Sequence, residues 1–393
     1  QEWTRRVVGD NLVSLEIASR RYVSDGKPDV WLVGVAHIAD QSFYGEITAL
    51  LEEMDIVLYE SVRPTGSRQP SGETEEERVH STQQSLEFIA DVAVRGAETS
   101  NMLPKSFDDV IVEASLLDSR LAAWVEDASV DAWGRQFIFR IEFSTNTLTF
   151  ASYGADGKVG GTGESTDLIA TKIVMIVPND EFALGASDPQ NNIQEDLAVV
   201  LGLAFQLEAL PYENPNWVCS DMTMDEVEAK LIERGADTSL LSVLTGESFA
   251  VKIASSIMKL VPLFDTFIGG GIRESVRLLM IEMLSLPDSD QLLAGIEPEL
   301  AQVIIVDRNT ELLEDLAATL ETTEDVSSIG VLYGAGHMFD LAPRLNSLFG
   351  YSPIEERWFV SMSVNPNDSF LKESDLKRMR FMLQYQMRKK NGS

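Results

Sequence analysis

The chain has 393 residues, of which 44% are apolar and 8% aromatic, enough for roughly two or three domains with real cores. Sixty-three acidic against 31 basic residues give a formal net charge of −32, a surface that repels nucleic acid and anionic lipid. Cys219 is the only cysteine, which excludes an intramolecular disulfide and a thiolate metal site, and no apolar run is long enough for a membrane-spanning helix. The excess acidity suits solubility in salt, divalent cations or a basic partner.

The chain begins at Gln1, as a mature end left after removal of a secretory signal would. Residues 5–24 alternate apolar and polar side chains about a turn at Gly9-Asp10 and read as a hairpin. Val30–Val35 is a short continuous apolar run, as in a strand buried on both faces. Asp40 is placed to cap a helix in which Phe43, Ile47, Leu50, Leu51 and Met54 recur at helical spacing. Ile56–Glu60 is a second buried strand. Strand, helix and strand in close succession make a β-α-β unit, which implies a parallel sheet.

Residues 63–78 are rich in Pro, Gly and Ser and end in the acidic run Glu75-Glu76-Glu77, reading as a linker near which His80 stands alone. A helix is expected from Ser81 to Gly96. Short alternating strands then cross the Gly-, Ser-, Thr- and Asp-rich residues 130–168, up to a break at Pro178-Asn179-Asp180. Helices are expected over 192–210, over Glu226–Arg234 with Gly235 as the stop, over 239–285 with an interruption at Gly269-Gly270-Gly271, and over 296–322. Ile329–Gly334 is another buried strand. Asp340 is placed to cap a helix that Gly350 terminates, and Arg357–Val364 reads as a last strand. The tail from Leu371 is basic and amphipathic, suited to the protein's own acidic body, to a neighbouring subunit or to a membrane surface.

The chain holds three histidines, and two of them share one context: apolar strand, Gly-x-x-His, acidic residue, helix. In a parallel sheet each strand delivers its last residues to the same edge, where ligands bind. His37 and His337 would meet there, and Glu60 ends a strand of the same sheet. Two imidazoles and a carboxylate suit a divalent transition metal, with positions left for water and substrate. Gly34 and Gly334 would let the backbone pass close to such an ion. Each histidine taken alone reads equally as a helix cap or a satisfied core residue. Arg308, on the expected 296–322 helix, reads either as a surface salt bridge or as a guanidinium aimed at the crevice, holding Glu60 or a substrate carboxylate.

The segments 30–60, Arg308–Leu313 and Gly334–Trp358 resemble the TraB/GumN/TIKI family, which carries two Gly-x-x-His motifs, a strand-end glutamate and an Arg-Asn pair in this order. The resemblance spans roughly 20–62 and 190–365. It implies a mixed α/β core with a helical region and a metal-dependent hydrolase, acting on peptides in some members. Glu60, Arg308 and Asn309 would be its catalytic residues, and His37, His337 and Glu60 its metal ligands.

The middle of the chain is similar to the globular part of the type II secretion major pseudopilin. The similarity rests on Asp131-Ala132-Trp133-Gly134-Arg135 and on Ser152-Tyr153-Gly154-Ala155-Asp156-Gly157 through Asp167. It covers about residues 78–170, without the apolar N-terminal helix of that family. Asp156 and Asp167 flank a glycine-rich loop whose carbonyls suit calcium, as the resemblance also implies, with Tyr153 and Ser165 as further ligands; a plain turn is the other reading. No Gly-Lys-Ser/Thr follows any glycine cluster, so a phosphate-binding loop is excluded.

The expected organisation is therefore a TraB-like domain over 1–75 and 179–370, an inserted α+β pseudopilin-like domain over 76–178, and a basic tail over 371–393. Two functions follow. One is a periplasmic, cell-surface or secreted metal-dependent hydrolase acting on a peptide or protein. The other is a non-catalytic envelope protein that uses the insert, or the tail, for self-association or docking.

Overall fold

The runs Asp29–Val35, Ile56–Tyr59 and Ser328–Gly334 have no polar face, so they are stable only in a sheet covered on both sides. The structure, a computed structural model, describes residues 2–177, 201–236, 271–285, 298–322, 325–372 and 375–378. In chain order the elements begin with β1 (Thr4–Val8), β2 (Val13–Val23), β3 (Asp29–Val35), β4 (Ile38–Ala39), α1 (Gln41–Leu51) and β5 (Ile56–Tyr59). Next come α2 (Glu75–Ser100), α3 (Phe107–Leu117), α4 (Leu121–Asp127), β6 (Ile138–Glu142), β7 (Thr147–Ser152) and β8 (Leu168–Ile173). Then follow β9 (Ala204–Phe205), β10 (Trp217–Cys219), α5 (Met224–Glu233), α6 (Ile272–Leu284), α7 (Arg308–Thr322), β11 (Ser328–Gly334), α8 (Met338–Phe349) and β12 (Ser352–Val364). The chain is mixed α/β and divides into two compact units.

The first unit comprises Gln1–Val62, Asp188–Met222 and Val227–Ser393. Its sheet runs β1-β2-β3-β11-β5-β10, and β12 pairs with β2. β11 lies between β3 and β5 and is parallel to both, with Gly334 opposite Val35 and Leu332 opposite Tyr59. The strands of the early β-α-β unit therefore do not touch; the apolar run from the far end of the chain fills the gap between them. Leu312, Leu313 and Leu316 of α7 and Leu341 and Leu345 of α8 cover one face, against Val30, Leu32, Leu58, Ile329 and Val331. α1 covers the other face, where a Cβ on Gly330 would lie 2.8 Å from Leu51. Each such aliphatic side chain contributes about 1.5–3 kcal/mol by leaving water. A second cluster joins Val276, Leu278 and Ile281 of α6 to Leu15, Met362 and Val364.

Several local expectations for this unit change. Asp40 stands at the N-cap of α1, but its carboxylate accepts from Arg277 Nη2 at 2.6 Å and Ser363 N at 3.2 Å, not from the helix. The expected helix over 192–210 gives way, in its described part, to β9 and a single turn at Gln206–Ala209, because Ala204–Phe205 pairs with Ile38–Ala39. The 296–322 helix is not uniform: Pro298–Ala301 is α-helical, Gln302–Asp307 is a π-helical stretch, and α7 starts at Arg308. Asp340 lies inside the first turn of α8 instead of capping it. The expected break at 178–180, the helical region 239–268 and most of the basic tail lie outside the described residues.

The second unit comprises Arg63–Ser187 with Thr223–Glu226. Its antiparallel sheet runs β6-β7-β8. α2 is longer than the expected 81–96. Thr74 and Glu77 form a reciprocal cap, with Glu77 N donating to Thr74 Oγ1 at 3.2 Å and Thr74 N to Glu77 Oε2 at 2.9 Å. Glu75-Glu76-Glu77 is thus the helix's first turn, where negative charge meets the positive end of the helix dipole, and is not a linker. His80 consequently stands on α2. Among the described residues no helix is long and apolar enough to cross a membrane.

Candidate functional site

Four parallel strands of the first unit end at one edge, and each hands over a polar residue. β3 leads to His37, β5 to Glu60, β10 to Asp221 and β11, through a short turn at Ala335–His337, to His337. Glu60 N donates to Leu332 O at 3.0 Å, which continues the β5–β11 ladder by one rung and turns the carboxylate toward β11.

Glu60 Oε2 accepts Gly334 N at 2.6 Å, and Oε1 accepts Arg308 Nη2 at 2.8 Å and lies 3.3 Å from His337 Nε2. Arg308 is 5% exposed and also grips Asp221, which is fully buried, with Nε on Oδ1 at 2.9 Å and Nη2 on Oδ2 at 2.6 Å. Arg308 is therefore no surface ion pair: one guanidinium holds two buried carboxylates. Burial opposes the charge on Glu60, but His337 and Arg308 outweigh it and hold its carboxyl well below the usual range. Burial also opposes the Arg308 charge, and Asp221 and Glu60 more than restore it.

Asn309 orients His337. Its Nδ2 donates to His337 O at 3.2 Å and to Asp340 Oδ2 at 2.9 Å, so its Oδ1, 2.7 Å from His337 Nδ1, is the acceptor there. That places a proton on Nδ1 and turns Nε2 to Glu60 Oε1. Tyr333 stacks edge-on against the His337 ring, and its hydroxyl donates to Ser220 O. His37 lies on the same edge: a Cβ on Gly334 would sit 3.2 Å from Glu60 Oε2, 3.7 Å from His337 Cδ2 and 4.0 Å from His37 Nε2. Gly334 thus leaves open the point where the three groups converge. Gly34 serves the sheet, since a Cβ there would meet Ala18 O at 2.8 Å. His37 is exposed, yet burial is the main influence lowering its pKa, with Glu60 opposing and Arg308 and His337 assisting. A ring on the wall of a recess has both properties, water on one side and dense protein around the rest.

The donor types suit a divalent metal. Two ligands held about 2.0–2.1 Å from a tetrahedral ion stand some 3.3 Å apart, the spacing of His337 Nε2 and Glu60 Oε1. The fit stops at that pair, because among the described residues no three His, Cys, Asp or Glu side chains are gathered for an ion. Asp221 and Gln206 join this neighbourhood without having been read from the sequence. Asp221 follows a three-residue strand too short for a periodic signal, and Gln206 falls in what reads as a helix. The only trace of Asp221 is its place after the apolar Trp217–Cys219 run. Cys219 itself is buried, its Sγ 3.2 Å from Ser61 O.

In the second unit the two motifs hold one another. Buried Asp131 accepts from Trp133 N and Arg135 N at 3.0 and 2.9 Å through Oδ1, and from Ser152 Oγ at 2.6 Å through Oδ2. Arg135 donates to Gly154 O at 2.9 Å and Ala155 O at 2.6 Å. In the loop, Asp156 Oδ1 accepts Lys158 N at 2.9 Å, and both oxygens of Asp167 accept Gly160 N at 3.0 Å. Tyr153 OH accepts from Arg140 Nη2 at 2.7 Å, and Ser165 N donates to Thr162 O at 3.2 Å.

The family model described as type II secretion system (T2SS), protein G, matches residues 118–171, which span α4, β6, β7, the glycine-rich loop and most of β8. No curated protein and no solved structure matches the chain.

Proposed function

We propose that the strand-end crevice of the first unit is a metal-dependent hydrolytic site of the TraB/GumN/TIKI type, acting on a peptide or protein. One observation carries this reading. His337 Nε2 and Glu60 Oε1, both buried, face each other at 3.3 Å while Asn309 already accepts the Nδ1 proton. Two lone pairs in that position call for a cation between them, either a second proton or a metal ion. His337, Glu60 and, after a side-chain adjustment, His37 would hold the ion. Such an ion supplies a polarised carbonyl and a bound water of lowered pKa.

The chain's own residues supply the rest. Arg308 keeps Glu60 ionised and fixed, and Asp221 keeps Arg308 from swinging away. His37, whose pKa burial lowers against the opposing pull of Glu60, stands beside the pair and still reaches solvent. The test is elemental analysis of native protein together with peptide hydrolysis. Stoichiometric transition metal, with metal and hydrolysis both lost in His37→Ala and in His337→Ala, is expected. Metal-free protein whose melting ignores chelators would overturn the reading.

A second reading starts from the type II secretion match over 118–171. In it the second unit is a docking or self-association module of an envelope or secretion-related protein. Asp156 and Asp167, with Tyr153 and Ser165, would close the loop around calcium. Deleting residues 78–170, or chelating calcium, is then expected to abolish assembly in sedimentation; unaltered assembly would sink it.

A further inference from the structure

His337 owes its orientation to a side-chain amide, and a second amide stands beside His37. Gln206 is 2% exposed. Its backbone N donates to His37 O at 2.9 Å, directly after the β4–β9 bridge that pairs Ile38 with Phe205. The chain is thus pinned at both residues, and the Gln206 side chain is delivered to the His37 ring by backbone pairing, not by a flexible loop.

Gln206 Nε2 donates to Tyr212 OH at 3.0 Å, inside an aromatic group in which Tyr212 packs against Tyr59 and Trp217. In this arrangement the nitrogen points at Tyr212 and the oxygen away from it. Oε1 is buried and meets no hydrogen-bond partner of full geometry. A buried carbonyl oxygen left that way has given up its water without a replacement donor, which is unfavourable. The group beside it is the His37 ring, with which the Gln206 side chain interacts. The other side of that ring is accounted for, because Nε2 is the atom that approaches the Gly334 position near Glu60.

We infer that Gln206 is the positioning residue of His37: its Oε1 accepts the His37 Nδ1 proton, as Asn309 Oδ1 accepts that of His337, so that both histidines present Nε2 lone pairs to Glu60. The two amides reach the site by different routes, Asn309 from the start of α7 and Gln206 from the single turn after β9. Each has its NH2 group anchored elsewhere, Asn309 on Asp340 and His337 O, Gln206 on Tyr212. Asn309, on two pure acceptors, cannot flip to offer its nitrogen and so fixes the tautomer as well as the ring angle; Gln206, with its nitrogen on Tyr212, is oriented to do the same for His37. The inference rests on the two histidines working as one site.

With three histidines in the chain, ring tautomers can be read one by one by long-range 1H–15N correlation on the full, metal-stripped chain labelled with [15N]histidine. His37→Gln and His80→Gln assign the signals. At a pH where the rings are neutral, His37 and His337 are both expected as Nδ1–H, and His80 as Nε2–H, the form an unconstrained imidazole prefers. Gln206→Leu is expected to return His37 to Nε2–H and leave His337 unchanged, which doubles as the folding control. Gln206→Glu is expected to restore Nδ1–H, and Tyr212→Phe to give a mixture. His37 as Nε2–H in the parent chain, or an unchanged His37 pattern in Gln206→Leu, overturns the inference. The parent tautomer decides even if the leucine variant fails to fold. Because no metal is present, the outcome is independent of whether the crevice binds one.

Discussion

The strand-end crevice and the glycine-rich loop each hold carboxylates, and they satisfy those carboxylates in opposite ways. In the loop the partners are local: Asp156 takes an amide two residues on, and Asp167 one seven residues back. In the crevice the partners come from remote parts of the chain, with Arg308 bridging Glu60 and Asp221 and Glu60 receiving Gly334 N. The loop can hold its shape with its own backbone. The crevice cannot, since each buried charge there depends on a partner that only the completed sheet supplies. A cation in the loop would compete with local amides, whereas one in the crevice would compete at Glu60 with Gly334 N and Arg308, donors brought from remote parts of the chain.

Breaking the crevice should cost most. Arg308→Ala leaves two carboxylates buried without their partner and is expected to destabilise by about 3–5 kcal/mol, read from the midpoint of denaturant unfolding. A change near zero would mean that the carboxylates find water and that the cluster is not the closed unit described. Gly334→Ala places a methyl 3.2 Å from Glu60 Oε2 and is expected to cost about 1–3 kcal/mol as the carboxylate is pushed aside, with any bound metal lost in the same sample.

A milder probe is pH. The folded-state pKa of Glu60 is depressed, so its contribution is complete above the unfolded value of about 4.3 and is lost as pH falls through the lower folded value. The stability difference between the parent chain and Glu60→Gln should be constant from pH 7 to 5 and shrink only below that. A difference that already falls between pH 7 and 5 would contradict the assignment.

The second unit sharpens the contrast with smaller effects. Ser106→Ala removes the acceptor that caps α3 through Asp109 N and is expected to cost about 1 kcal/mol by thermal unfolding. Asp156→Asn in calcium-free buffer is expected to stay within about 0.5 kcal/mol of the parent, because an asparagine oxygen can still accept Lys158 N. A larger loss there would show that the loop depends on the Asp156 charge and not on that hydrogen bond alone.

Sequence alone determined the elements whose stabilising pattern is local. The three apolar strands, the paired Gly-x-x-His turns at their ends and Glu60 as a strand-end carboxylate follow from runs of adjacent residues. So does the Asp131 motif, which turns on its own amides. Tertiary structure decided what long-range pairing controls: β11 inserted between β3 and β5, the single guanidinium of Arg308 shared by Glu60 and Asp221, and Gln206 brought to His37 by the β4–β9 bridge. Short strands such as β9 and β10 carry too few residues for periodicity to register, and the π-helical turn ahead of Arg308 leaves the apolar pattern of its helix unbroken. Periodicity reports which face of a segment is buried; which remote charge lies against that face is settled only when the sheet closes.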